Sequence, residues 1–344
     1  FMITFAIPTW NRADKLKVCL TSIIEQIKCS DEQILINVFN NASDDDTGKV
    51  LEDFKLFYPE IVSFTTGIEH LPFQGSFINA FNLPVSEYTW MFGDDDILLP
   101  GGLSKVLDVI KRKNVDFIHA AEFTRVANEE RNYFATLTDL CSGFGFIEMT
   151  GFISGNICRT KPLQAVLNGS DMSVYQTSSF MQSCVILDAF GNSPSCFMNT
   201  PVIDNQEREQ TIESCTRWQG ENIQLNYALV ANGLDLLRQN GKLSDTLPAD
   251  FFRYLTGNLI GKSLYNFHAH AEVTKDFIPA EYWNAMEVMA SFLDDEGKTL
   301  KVIADFRESF NSYITHNKKT HDLMVKLQQD HDKSTDITYP FSYT

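Results

Sequence analysis

Apolar and polar positions along this chain fall into two alternating periods. Residues 2–7 form a continuous β-rich run that stops at Pro8, after which Leu16, Cys19, Leu20, Ile23, Ile24 and Ile27 recur three and four apart, the spacing of a helix with one buried face. The alternation continues. Residues 34–39, 61–66, 88–92 and 115–121 read as strands. Residues 47–57, 73–82 and 101–113 read as helices, the last with Leu103, Val106, Leu107 and Ile110 on one side. Strands separated by helices of this length predict right-handed βαβ units and a mostly parallel sheet with helices on both faces. Ligands of such sheets bind beyond the carboxyl ends of the strands, here residues 8–12, 40–46 and 93–96.

Past residue 121 the pattern is mixed: residues 141–159 are rich in Gly, Phe and Ile, and residues 169–183 are polar. From residue 211 helical spacing returns, in Ile223, Tyr227, Leu229, Val230, Leu234 and Leu237 and again in residues 251–267, 282–293 and 300–314. The expected organisation is a domain of residues 1–210, in halves 1–120 and 121–210, followed by a C-terminal helical subdomain of residues 211–344. Tyr282, Trp283, Met286 and Met289 are expected in a core or a subunit contact, so a homo-oligomer joined through these helices is one expectation.

Composition narrows the partners. The 344 residues are 44% hydrophobic and include 27 Phe, enough for a sizeable core. A formal net charge of −17 argues against nucleic acid as a partner, because phosphate binding needs a concentrated basic surface. An anionic substrate would need local help from a metal ion or a few placed Arg and Lys residues. The seven cysteines, at 19, 29, 141, 158, 184, 196 and 215, include no CxxC pair. That excludes zinc-ribbon and thioredoxin readings and fits reduced thiols in a cytoplasmic protein. No apolar run reaches the ~20 residues that span a bilayer, so any association with the inner face of the plasma membrane is expected to be peripheral.

The run Trp90-Met91-Phe92-Gly93-Asp94-Asp95-Asp96 carries the most pointed chemistry. Three adjacent carboxylates repel one another, and a divalent cation, which prefers hard oxygen ligands, relieves that repulsion. The competing reading is a solvated acidic turn ahead of the next helix. A calcium loop on Asn41, Ser43, Asp45 and Glu52 is excluded, because Asp46 occupies its glycine position and a strand precedes it where a helix should.

As a set, Ile7-Pro8-Thr9-Trp10-Asn11-Arg12, Asn40-Asn41-Ala42-Ser43-Asp44-Asp45 and the aspartates followed by Ile-Leu-Leu-Pro resemble family 2 glycosyltransferases of the GT-A fold, of the bacterial O-antigen and capsule type. Residues 151–159 are similar to a segment of abequosyltransferase-like proteins. The resemblance implies a Rossmann-like catalytic domain with a nucleotide-sugar half and an acceptor half. It further implies an enzyme moving a sugar from a nucleoside-diphosphate donor to a hydroxyl of a surface glycan, free or lipid-linked, as in lipopolysaccharide or capsule synthesis. It assigns Pro8, Thr9 and Trp10 to base and ribose, Asn11 and Arg12 to loop closure or phosphate, and Gln74 and Asn79 to the donor pocket. Asn40 and Asn41 complete the base site, and the aspartates hold Mn²⁺ or Mg²⁺ on the diphosphate.

Two positions depart from that family's pattern. Asn40 stands where Asp is common; a carboxamide is both donor and acceptor, suiting cytosine and, with the amide turned over, uracil. CDP-, UDP- and dTDP-linked donors stay open, and an Asn chosen only for turn geometry is the alternative. Gly93 stands at the first usual Asp position, which leaves Asp95 and Asp96 as metal ligands with Asp94 nearer the ribose. For the first loop the plain alternative is that Asn11 and Asp14 cap the following helix.

Inverting transfer also needs a base for the acceptor hydroxyl. Asp171 is the first candidate, with Glu148, Asp188 and Asp204 behind it. Small residues in 151–159 would let a sugar approach the backbone; a bulged strand, or phosphate contacts from Arg159 and Lys161, are the alternatives. The seven histidines form no metal pattern and are expected to be structural or exposed. Two other functions stay open: a nucleotidyl- or phospho-group-transferring relative of the fold, disfavoured because residues 8–12 lack Gly, and a non-catalytic nucleotide-binding module.

Overall fold

A computed structural model describes residues 2–122, 130–177, 180–206 and 223–243, with scattered helical positions between 283 and 308. The helix expected at 251–267, most of those at 282–293 and 300–314, and Tyr282, Met286 and Met289 with their expected subunit contact lie outside the described residues. By its contacts the chain divides into two units, residues 1–211 with 232–247 and residues 212–231 with 248–344. The sheet lies in the first.

Its first half follows the apolar periodicity closely. Strands β1 (Ile3–Thr9), β2 (Ile34–Asn40), β3 (Val62–Thr66) and β4 (Tyr88–Met91) are parallel, in the order β3-β2-β1-β4. They are joined by α1 (Ala13–Ile27), α2 (Thr47–Phe57) and α3 (Phe73–Asn82). The stripe Leu16, Cys19, Leu20, Ile23, Ile24 and Ile27 is buried, each aliphatic member worth roughly 1.5–3 kcal/mol as an upper estimate. The chain leaves β1 for β2 on one side and returns to β4 on the other, so a crevice opens where these three strands end.

Strand β1 runs one residue past Pro8, where the sequence predicts a stop. Ala6 O accepts the Phe92 N–H on the β4 side, and Thr9 O accepts the Asn41 N–H on the β2 side. Residues of a parallel strand alternate between their two neighbours, so Pro8 faces the β4 side, where pairing ends at Ala6 opposite Met91. Its missing N–H is not needed there.

The second half is mixed. It comprises β5 (Asp96–Leu98), α4 (Gly102–Lys113), β6 (Phe117–Glu122), β7 (Arg131–Thr136), α5 (Leu137–Phe144), α6 (Phe146–Thr150), a 3-10 turn (Ile153–Gly155), β8 (Asn156–Arg159), α7 (Thr160–Leu167), α8 (Met172–Tyr175), α9 (Met181–Phe190) and β9 (Pro194–Asn205). Strand β8 inserts antiparallel between β4 and β6, and β9 runs parallel to β6. The beginning of β9 pairs with β7 and its last three residues with β5, both antiparallel. Residues 151–159, read above as an approach route for a sugar or a plain strand, are the turn followed by β8. Their Arg159 sits opposite Tyr88 at the start of β4, paired with Glu87 and with Asp116. It is therefore a structural cation at the opposite end of β4 from the aspartates, which corrects the phosphate-contact reading.

Candidate active site

The loop after β1 is organised by the loop after β2. Asn11 adopts a left-handed φ of 51°, which Asn tolerates better than most residues. Its Nδ2 donates to Asp44 Oδ1 at 2.6 Å while its Oδ1 accepts the Asp44 N–H at 2.9 Å. The free N–H groups at the start of α1 are met from across the crevice: Arg12 N donates to Thr47 Oγ1 at 3.2 Å and Ala13 N to Asp45 Oδ2 at 3.2 Å. Helix α1 thus has no side-chain cap of its own, and the reading of Asn11 and Asp14 as caps is replaced by a cross-loop lock.

Asn40 and Asn41 are both buried. Asn40 Oδ1 accepts the Ser43 N–H at 3.1 Å, so its amide is oriented by a turn and its NH₂ is the group left to face a ligand. Asn41 clamps the segment after β3: its Nδ2 donates to Leu71 O at 2.8 Å and its Oδ1 accepts the Leu71 N–H at 2.9 Å. That clamp brings His70 against Trp10, with ring centroids 4.0 Å apart in a stacked arrangement, and Asn41 Nδ2 lies 3.2 Å from His70 Nδ1. Trp10 remains 42% exposed, an aromatic surface at the mouth of the crevice. His70 escaped the sequence reading because no spacing links it to Trp10. Of the two α3 positions, Gln74 is half-buried and Asn79 exposed.

The three aspartates have three different environments. Asp94 is buried and accepts from Thr9 Oγ1 at 2.7 Å and from Arg12 Nη1 at 2.8 Å. The same Arg12 nitrogen donates to Asp95 Oδ2 at 2.8 Å, and side-chain exposure rises from 7% at Asp94 to 22% at Asp95. Burial pushes the Asp94 carboxyl above the usual carboxylate range, with Arg12 opposing. Asp96 points inward: Ser154 Oγ donates to its Oδ2 and Asn205 Nδ2 to its Oδ1 at 3.0 Å. Burial, then the charge of Asp95, push Asp96 up to about 8. Gly93 suits this crowding, because a Cβ there would lie 2.9 Å from Asp96 Oδ2 and 3.1 Å from Asp95 Oδ1 and force one of them to shift. The Cys19 thiol donates to Gly93 O at 3.5 Å, and burial beside the three carboxylates pushes it up, making it a poor nucleophile.

The other carboxylates disperse. Asp188 is held by the Tyr175 hydroxyl at 2.8 Å and by Lys242, and Asp171 accepts from Asn240 Nδ2 at 3.2 Å. Both belong to one polar cluster around α8 and α9. In α9, Gln182 Nε2 donates to Gly151 O at 3.1 Å, and Asp188 lies six residues further on, roughly 9 Å along the helix axis, toward the start of β9. Glu148 is exposed on α6. Asp204 pairs in register with Ile97, beside the Asn205–Asp96 contact. One carboxylate was missed: Glu122 ends β6 opposite Ile203, whose other neighbour is Leu98 of β5, and its charge reaches Asp96.

Comparison with known proteins agrees with this geometry. The model of glycosyl transferase family 2 matches residues 4–179, just over half of the chain. Abequosyltransferase RfbV of Salmonella typhimurium (strain LT2) is 31% identical over 103 residues, 30% of this chain and 31% of that protein, so the match spans about a third of this curated relative. Among solved structures, the chain is similar to Staphylococcus aureus TarS 1-349 in complex with UDP-GlcNAc, with a TM-score of 0.60, 14% identity and 99% and 95% of the two chains covered. It is also similar to the mannosyltransferase PcManGT from Pyrobaculum calidifontis in complex with GDP-Man and Mn²⁺, with a TM-score of 0.51, 12% identity and 90% and 86% covered. At these identities the structures speak for the fold alone. The family match and the three loops gathered at the ends of β1, β2 and β4 together make this chain a member of glycosyl transferase family 2, a glycosyltransferase with the GT-A fold.

Proposed function

We propose that the enzyme takes its sugar from a CDP-, UDP- or dTDP-linked donor and transfers it to a hydroxyl of a bacterial surface glycan, free or lipid-linked. The observation that carries the donor assignment is the convergence of Asp94 and Asp95 on Thr9 and Arg12, which flank Trp10 of the exposed Trp10–His70 stack one and two residues away. A flat aromatic face suits a base, and the neighbouring charged groups suit a diphosphate. The UDP-GlcNAc and GDP-Man of the two similar structures support a nucleotide-sugar donor.

Mn²⁺ or Mg²⁺ fits the donor set. Asp94 and Asp95 direct hard oxygens at one guanidinium nitrogen, and such ions bind through one or two carboxylates, substrate phosphates and water. Among the described residues no group of three or more His, Cys, Asp or Glu is arranged to hold a metal ion by itself, so the ion would depend on the donor's phosphates for ligands. Asp95, the more exposed, would be the principal ligand and Asp94 its neighbour. When bound, the ion offsets the charge that builds on the departing diphosphate. Arg12 adds positive charge beside the same oxygens, and the Asn40 NH₂ offers a donor to the base. The acceptor hydroxyl must lose its proton to a carboxylate, and we take Glu122 as the candidate because it ends β6 with its charge reaching Asp96. Among the described residues no helix is long and apolar enough to cross a membrane. We further propose that the reaction runs on the cytoplasmic side, with a lipid-linked acceptor met at the bilayer surface.

A thermal-shift panel of CDP, UDP, dTDP and GDP with and without Mn²⁺ tests this reading. Stabilisation by CDP, UDP or dTDP that depends on Mn²⁺, followed by slow hydrolysis of the matching nucleotide sugar, is the expected result. No Mn²⁺-dependent shift with any of the four would refute it, and a clear preference for GDP would remove the role given to Asn40.

A further inference from the structure

Ser154 comes from the second half of the sheet, yet its hydroxyl lies inside the aspartate turn. It donates to Asp96 Oδ2 and accepts the Gly93 N–H at 2.7 Å, and the residue is 1% exposed. Its surroundings leave it little freedom. Trp90 Nε1 donates to the Ser154 carbonyl at 2.8 Å. Asn156 Nδ2 donates to Thr150 O at 3.1 Å and to Phe152 O at 3.0 Å, and Gln182 holds Gly151. With Asn205 on its other oxygen, Asp96 is committed on both sides to protein partners, whereas Asp95 turns toward Arg12 and solvent.

We propose that Ser154 is a positioning residue of the donor site. By holding the Asp96 carboxylate and the Gly93 N–H at once, it fixes the turn that presents Asp94 and Asp95 to the metal and diphosphate. It also crowds position 93, where a Cβ would lie 3.2 Å from the Ser154 hydroxyl. A constellation of ligands keeps its geometry only when such supporting contacts lock it. This inference rests on the reading of Asp95 as metal ligand and concerns only the metal-dependent part of binding, because Trp10, His70, Asn40 and Asn41 are held by contacts among the loops after β1, β2 and β3.

The test is calorimetric titration of UDP and CDP into the full chain with Mn²⁺ and with EDTA. Ser154→Ala should weaken Mn²⁺-dependent binding of the preferred nucleotide about tenfold or more and leave binding in EDTA within about twofold, while Ser154→Thr restores the wild-type value within about threefold. An alanine variant that binds like wild type with Mn²⁺, or that loses affinity equally with and without metal, overturns the assignment. Should the alanine variant fail to fold, Ser154→Cys, which fills the site with a slightly larger atom and weakens the hydrogen bond, replaces it under the same criteria. Absence of Mn²⁺-dependent binding in the wild type overturns the parent reading instead, so the two failures are told apart.

Discussion

A Cβ at position 93 would lie 2.9 Å from Asp96 Oδ2 and 3.2 Å from Ser154 Oγ, so a side chain there requires those groups to shift. Gly93 stands where the family usually has Asp, and the carboxylate that Thr9 and Arg12 receive is Asp94. Gly93→Ala should therefore cost about 1–3 kcal/mol through overpacking, read as a lowered midpoint in urea. Gly93→Asp should weaken Mn²⁺-dependent nucleotide binding where the family pattern alone would have it strengthened; tighter binding would refute the steric account. On the proposed role of Glu122 as general base, Glu122→Gln should lower kcat by about 10²-fold or more at unchanged donor KM. Asp171→Asn and Asp188→Asn should act mainly through stability, since their partners are Asn240, Tyr175 and Lys242. If Asp171→Asn instead abolishes turnover in a folded protein, the base assignment reverts to it.

Strands and helices differ in how much of themselves they write into the chain. Helix α1 and strands β1 to β4 are legible because each buries a periodic or continuous apolar set, and Pro8 misled by only one residue because its missing N–H falls where pairing has ended. Strands β5, β7 and β9 left no comparable signal. β5 has three residues and begins with a carboxylate, and β9 changes partners along its length, from β6 and β7 to β5. β4 supplies a measurable pH response. Its Tyr88 hydroxyl donates to Val115 O at 2.6 Å, and burial raises the phenol to about 12. A raised folded pKa contributes stability that is whole below about pH 10 and is lost as pH climbs through about 12. Tyr88→Phe should remove that component, up to about 2–3 kcal/mol, flattening the denaturation midpoint across this window while costing about 1–2 kcal/mol at neutral pH for the orphaned carbonyl. An unchanged alkaline slope would show that other groups govern it.

At the scale of the molecule, a net charge of −17 repels the anionic donor until it reaches Arg12. Screening weakens long-range repulsion within a Debye length of ~10 Å at 0.1 M salt. The association rate of a nucleoside diphosphate at fixed Mn²⁺ should accordingly rise severalfold between about 10 and 150 mM salt, measured by stopped-flow tryptophan fluorescence with Trp10→Phe as the control. A rate that falls with salt would mean that local positive charge, not the acidic surface, steers the ligand.

The sequence by itself determined the strands and helices of the first half, through their alternating periods, and the three loops at the strand ends; the resemblance of those loops to family 2 glycosyltransferases is what named Thr9, Arg12, Asn40 and the aspartates as one site. Which aspartate meets which partner was decided only by tertiary structure. Asp94, Asp95 and Asp96 are chemically identical letters, and they differ only because Arg12 lies 82 and 83 residues from the first two while Ser154 and Asn205 lie 58 and 109 residues from the third. The same holds for His70 on Trp10 and Glu122 near Asp96. Hydrophobic periodicity is local and can be read along the chain, whereas hydrogen bonds and charge are set by distances through space that no local pattern records.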